Sequence, residues 1–258
     1  MKNYGYIPEP ILIEKDYVLG GYGNLGGLEL QPDGKWDAFM PQIEHQNLHG
    51  IEPFACVSFT TTNAVEILAR RKFNTQLNLS DRFLAKISGT DTLLGNSPQK
   101  VAETLRKMGD VPEALWPFTE NINSFQKYYE RVPEAIRGRA LEFVAEYEFK
   151  HEYVNPSPAQ LIQGLKHSPL GVSVYAWHKD DKEMYFKPLN TRDNHFTTLF
   201  SFEEGYFWRI FDSYDSSVKF LRWDYQFGTA KRYALNRQVV NKDAWAQFLF
   251  WFKKAWGF

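Results

Sequence analysis

The stretch "PFACVSFTTTNAVEILARR", Pro53 to Arg71, decides how the chain is read, and it holds the only cysteine of 258 residues, Cys56. An apolar approach ends at the thiol and helical spacing begins at once. Val57, Ala64, Val65, Leu68 and Ala69 recur at helical intervals over 57–73, and Arg70, Arg71 and Lys72 suit the negative end of the helix dipole. Thr60, Thr61 and Thr62 are weak helix formers, so tertiary burial must hold this helix together. A thiol at its N-terminal end faces unpaired backbone N–H groups, which favour the thiolate. Burial habits alone would instead make a lone cysteine an inert core residue. The rest of the chain has to decide between the two.

Working outward, residues 1–35 are rich in Gly and Pro ("GYIPEP", "LGGYGNLGG") and read as an irregular arm lying on a folded body. "NLSDRFLAKISG" predicts a helix capped by Ser80 and stopped at Gly89. "NSPQKVAETLRKMGD" predicts another, with Ser97 as cap, Pro98 in the first helical position and Gly109 at the end. Charged, helix-prone sequence continues to about residue 147, and "SPAQLIQGLKHSP" adds one more helix. Thereafter "LGVSVYAW", "HFTTLFSF", "YFWRIFDSY" and "AKRYAL" are short β-branched and aromatic runs between turn signals. The expectation is an α+β protein: an arm over 1–35, a helical lobe over 36–150, a β-rich lobe over 151–240 and an aromatic amphipathic helix over 241–258.

The bulk composition excludes several classes. A net charge of −1 gives no reason to expect nucleic acid or an anionic membrane as partner. No apolar run is long enough for a transmembrane span, and the N-terminus lacks the apolar core of a signal peptide. No His/Cys cluster has zinc spacing and no Gly-rich phosphate loop follows a strand, so no metal and no cofactor are expected. One cysteine excludes an internal disulfide and suits a cytoplasmic or other reducing interior, a host cytoplasm if the source is viral. Aromatic content of 17% predicts a ring-rich core and cleft. In the C-terminal "NKDAWAQFLFWFKKAWGF", Trp245, Phe248, Leu249, Phe252, Ala255 and Trp256 share one helical face. That face is expected to pack on the body, with a protein partner or a membrane surface as the other candidate occupants.

A thiolate needs a proton partner, usually histidine, and that histidine needs an orienting group. Of the six histidines, His195 in "RDNHFTTLFSF" has the best context, at the start of an alternating strand. Asp212 ends the next strand, and a hairpin joining the two brings these far ends together.

In order and spacing these blocks resemble a papain-like cysteine peptidase, over roughly residues 35 to 235. "EHQNLHGIEPFACVSFTTTNAVE" resembles the glutamine–cysteine–helix block. "LNLSDRFLAKISG" resembles the second helix, and "GNSPQKVAETLRKMGDVPEALWPF" the segment ending in an aromatic–Pro–aromatic turn. "SPAQLIQGLKHSPLGVSVYAW" resembles the opening of the second lobe, and "NHFTTLFSFEEGYFWRIFDSY" the histidine strand with the strand after it. The Cys56–His195 separation also falls in the roughly 130–150 residues of that family.

The resemblance implies a two-lobed papain-like fold and hydrolysis of peptide bonds in a peptide or protein substrate. It implies Cys56 as nucleophile, His195 as its proton partner, Asp212 where the family usually has asparagine, and Gln46 as oxyanion donor. Thiolate and imidazolium then stabilise each other, and the thiol pKa falls to about 3–4. The pattern also departs from the family. Gln46 lies ten residues before Cys56 rather than six, so "NLHGIEPFA" must loop out if Gln46 is to reach the oxyanion; Gly50 occupies the usual offset, and Asn47 or the loop's own backbone could substitute. Asp212 carries a charge where asparagine is neutral and is expected to hold the imidazolium more tightly. Val57 and Tyr214 replace the family's tryptophans. These departures keep open a catalytically silent papain-like domain serving as a binding or assembly module, and a different thiol chemistry on the same residues.

Overall fold

Three successive threonines sit in the middle of the central helix, and the protein holds them by giving each hydroxyl a partner. In a computed structural model, which describes residues 4–11, 29–214 and 218–238, helix α1 runs Cys56–Phe73 and is buried continuously from Cys56 to Ala69. Thr61 Oγ1 donates to Val57 O at 2.8 Å, and Thr62 Oγ1 lies within hydrogen-bond reach of Ser58 O, Phe59 O and the Asp81 carboxyl. Thr60 Oγ1 donates out of the helix to Phe196 O at 3.1 Å. Buried hydroxyls without partners would each cost about 1–3 kcal/mol. The last of these bonds ties α1 to the strand residue beside His195. Asn74 ends the helix in the left-handed conformation.

Helices α2 (Asp81–Ile87) and α3 (Pro98–Met108) pack on α1, and their ends are those the caps predict. Ser80 Oγ accepts from Phe83 N, and Ser97 Oγ accepts from Lys100 N ahead of Pro98. Gly109 closes α3 at φ 74°, where a Cβ would strike Ala140 O. Short α4 (Phe125–Tyr128) and longer α5 (Glu134–Glu146) complete this side.

The change to strand comes at β1 (Tyr147–Val154), which crosses residue 150 rather than starting after it. Helix α6 (Pro158–Leu165) follows, then β2 (Leu170–Val174), β3 (His195–Glu203), β4 (Phe207–Phe211), β5 (Val218–Arg222) and β6 (Ala230–Arg237). They form one antiparallel sheet in the order β1-β6-β2-β3-β4-β5. The β3–β4 hairpin pairs Thr198 with Phe211, with a bulge between Leu199 and Ser201, so His195 and Asp212 emerge at the same end. Helix α1 packs against β3, bringing Cys56 to that end as well. Among the described residues no helix is long and apolar enough to cross a membrane. The expected aromatic helix over 241–258 lies outside the described residues.

The helical side carries an unusual number of buried acids. Burial pushes the Glu66, Asp81 and Asp110 carboxyls well above their ordinary range, and pushes Glu113 up to about 7. A carboxyl raised in the folded state keeps its proton while the unfolded chain has lost it, so stability falls as pH rises between the two pKa values. For Glu113 alone that window, from 4.5 to about 7, is worth at most about 3 kcal/mol. His151 acts in the opposite sense, since burial lowers its pKa to about 3 and folding is penalised below pH 6.5. Four carboxyls against one imidazole leave the acid side favoured. The melting temperature is therefore expected to rise from pH 7.5 to about 5 in thermal scans, less steeply in Glu113→Gln. A flat or falling profile would contradict this.

Candidate active site

His195 opens β3 and is fully buried, with its Nε2 2.6 Å from Asp212 Oδ1. Burial alone would raise the Asp212 carboxyl, but His195 and Lys219 more than offset it and hold it below its ordinary value. An ionised Asp212 only accepts, so His195 Nε2–H is the donor. Nδ1, which is buried and makes no hydrogen bond, is left as the basic nitrogen. Rings hold the imidazole on several sides: Trp177 at 5.6 Å, Tyr214 at 5.1 Å and Tyr4 at 6.0 Å, all edge-on.

Lys219 changes the expected electrostatics of the pair. It is fully buried on β5, and its Nζ donates to Asp212 Oδ2 at 2.7 Å and lies 5.0 Å from the Trp177 ring. With one oxygen on a cation, Asp212 presents to His195 a unit of no net charge, close to the neutral asparagine of the resembled family. The tighter grip expected from an unopposed carboxylate is thereby tempered. Breaking a buried pair from one side typically costs about 3–5 kcal/mol. Lys219→Met is expected to lose about 3 kcal/mol in denaturant melts, with part of the loss recovered when Asp212→Asn is added.

Cys56 starts α1 with its thiol against the Phe196 backbone N–H, one residue beyond His195. The expected thiolate is not what this arrangement favours. Burial pushes the thiol well up, the Phe196 N–H opposes this only partly, and the Glu52 and Asp212 carboxylates add to the rise. The helix terminus is present as expected, but a dry, covered thiol near two acids keeps its proton.

Gln46 is also brought in. "NLHGIEPFA" loops out through left-handed His49, Gly50 and Phe54, and the Gln46 backbone N–H bonds Ser213 O at 2.8 Å. Its side chain is engaged at both ends: Oε1 accepts from Ser213 Oγ at 3.2 Å, and Nε2 donates to Glu52 Oε1 at 2.9 Å. Glu52 accepts as well from Phe54 N at 3.0 Å and from the Tyr214 hydroxyl.

The cover is the N-terminal arm. Tyr4 N–H donates to Asn194 O at 2.9 Å, and its ring packs edge-on against His195 and Tyr214. Asn96 N donates to Gly5 O and Ile7 N to Asn96 O, both at 2.9 Å, so the arm is pinned to both lobes. Gly5 has φ 100°, and a Cβ there would lie 2.3 Å from Phe54 O. Four residues of this neighbourhood escaped the sequence reading: Tyr4, Glu52, Trp177 and Lys219. Only Lys219 left a trace, as a lysine alternating with apolar residues in "SVKFLRW".

No family model and no curated protein matches the sequence. Solved structures match it in fold. Xylellain, a cysteine protease from Xylella fastidiosa, superimposes with a TM-score of 0.63 over 93% of this chain and 97% of that one, at 18% identity. The cysteine protease and lectin-like domains of Cwp84, a surface layer associated protein of Clostridium difficile, give 0.68 at 12% identity, over 92% of this chain but only 57% of theirs. Digestive procathepsin L 3 of the Tenebrio molitor larval midgut gives 0.56 at 15% identity, over 78% and 68%. The chain therefore has the papain-like α+β fold.

Proposed function

We propose that this protein is a cysteine peptidase in a closed state, with Cys56 as nucleophile, His195 as its proton carrier and Asp212, steadied by Lys219, as the orienting group. The observation that carries this reading is the buried His195–Asp212 pair, whose free Nδ1 belongs to the strand residue next to the one that hydrogen-bonds Cys56. In the open state, water reaches the cleft and the thiol passes its proton to His195. The thiolate sulfur then bonds to a substrate carbonyl carbon, and the carbonyl electron pair moves to oxygen. Collapse of that oxyanion breaks the C–N bond while imidazolium protonates the departing amine, and water releases the acyl group. Gln46 Nε2, turned from Glu52, and the Cys56 backbone N–H are the donors for the oxyanion.

The same reading makes the arm a cap on the site. Gly5→Ala puts a methyl into Phe54 O and a side chain at a φ that disfavours it, which is worth about 1–2 kcal/mol against the closed state. Roughly tenfold more peptide cleavage is expected from full-length Gly5→Ala than from the parent protein.

The test is digestion of a denatured protein at pH 5–7 with fragments identified by mass spectrometry. Fragments that accumulate faster with Gly5→Ala, and vanish when Cys56→Ala is added, support the reading. Fragments that persist without Cys56, or none from either protein, would remove it. A silent binding domain is the alternative, favoured by the engagement of Gln46 with Glu52. It predicts no cleavage from any of these variants.

A further inference from the structure

The arm residue beside Cys56 outlines a pocket. Tyr6 is only 5% exposed, and its ring stacks on Phe196 at 5.8 Å and 11°. Phe196 is a fixed wall: its ring lies across β2 at Gly171, where a Cβ would come within 2.6 Å of it. At the far end the Tyr6 hydroxyl meets Thr229 Oγ1 at 3.0 Å, with Ser173 beside it. Ser173 Oγ donates to Asp193 Oδ2 at 2.6 Å and accepts from Thr229 N at 2.8 Å. Asp193 Oδ2 also accepts from Gly228 N at 2.8 Å, and Oδ1 is ion-paired with Lys187 Nζ at 2.5 Å. The slot thus has a flat aromatic wall and a polar floor whose one carboxylate is already neutralised.

We propose that the slot now filled by Tyr6 is the pocket by which the open enzyme selects a tyrosine side chain of its substrate, with Thr229 as the residue that separates tyrosine from phenylalanine. This rests on the peptidase reading above. A phenylalanine matches the Phe196 wall but leaves the Thr229 hydroxyl without the phenol it now meets. Such a mismatch in a buried site costs discrimination against the ligand lacking the group. An arginine or lysine gains nothing from Asp193, since Lys187 occupies that charge. A leucine covers only part of the flat wall.

The experiment uses full-length Gly5→Ala, in which the arm's hold is weakened. Tripeptidyl chloromethyl ketones carrying Tyr, Phe, Leu or Arg at each position in turn are reacted with it, and modification of Cys56 is followed by mass. Iodoacetamide serves as the probe of the bare thiol. At one position the tyrosine reagent is expected to react roughly tenfold faster than the phenylalanine reagent. That ratio should fall to about one in Thr229→Val and be kept in Thr229→Ser. Equal rates for tyrosine and phenylalanine at every position would overturn the pocket while leaving the peptidase. So would a tyrosine advantage that survives Thr229→Val. A Cys56 that reacts with iodoacetamide as an ordinary thiol, and with none of the ketones, would remove the peptidase reading and the pocket with it.

Discussion

In an arm-weakened Gly5→Ala background, His195→Ala is expected to lower kcat/KM on a peptide substrate by about 10⁴-fold, and Cys56→Ala at least as much. The size follows from the geometry. His195 is hydrogen-bonded to Asp212, and its orientation is set by that carboxylate and by three rings. The two losses should not add. On the proposed reading Cys56 and His195 act on one step, so a double variant should be no worse than the more damaging single one. Steady-state kinetics on the three variants checks this. A double variant far slower than either single would mean that the two residues act independently.

The second large effect is expected at Gln46. Removing one oxyanion donor costs about 10²–10³ in kcat in such sites. Gln46→Ala is accordingly expected to lower kcat about 100-fold with little change in KM, because the donor acts on the developing charge and not on the bound substrate. Here the residue has a structural part as well, bridging Ser213 and Glu52. Gln46→Glu keeps the length and can still accept from Ser213, but it places a second acid beside Glu52 and offers no amide donor. It should be at least as impaired. A Gln46→Ala variant with undiminished kcat would assign the oxyanion to backbone groups alone.

The helix ends and the strand ends that meet at the candidate site were legible because they depend on local rules. Ser80, Ser97, Pro98 and Gly109 mark helix ends through backbone hydrogen bonding that any context must satisfy. His195 and Asp212 could be paired from strand and hairpin logic alone, since a hairpin fixes which ends meet. The loop before Cys56 was expected because Gln46 lies ten residues ahead of it, and the chain turns there through His49, Gly50 and Phe54.

What escaped the sequence depends on tertiary burial. Lys219 points into the sheet while its neighbours Val218 and Phe220 are 39% and 41% exposed, the reverse of the hydropathic pattern. The Asp212 carboxylate, one residue beyond the end of β4, and the Trp177 ring make that inversion favourable. Tyr4 and Tyr6 lie in a Gly- and Pro-rich stretch without periodicity, so nothing local foretold their places. The proton that Cys56 keeps in the covered arrangement has the same origin. The helix terminus that favours a thiolate is a local feature, whereas the cover that dries it comes from residues some fifty positions away.

One measurement bears most directly on the pairing of Cys56 with His195: the rate of Cys56 alkylation by iodoacetamide from pH 4 to 9, in Gly5→Ala with and without His195→Ala. Fast alkylation well below pH 7 that collapses when His195 is removed is expected, with slow alkylation at those pH values in the parent protein with its arm in place. Alkylation that rises only near pH 8–9, alike with and without His195, would show an ordinary thiol and no pairing of Cys56 with His195.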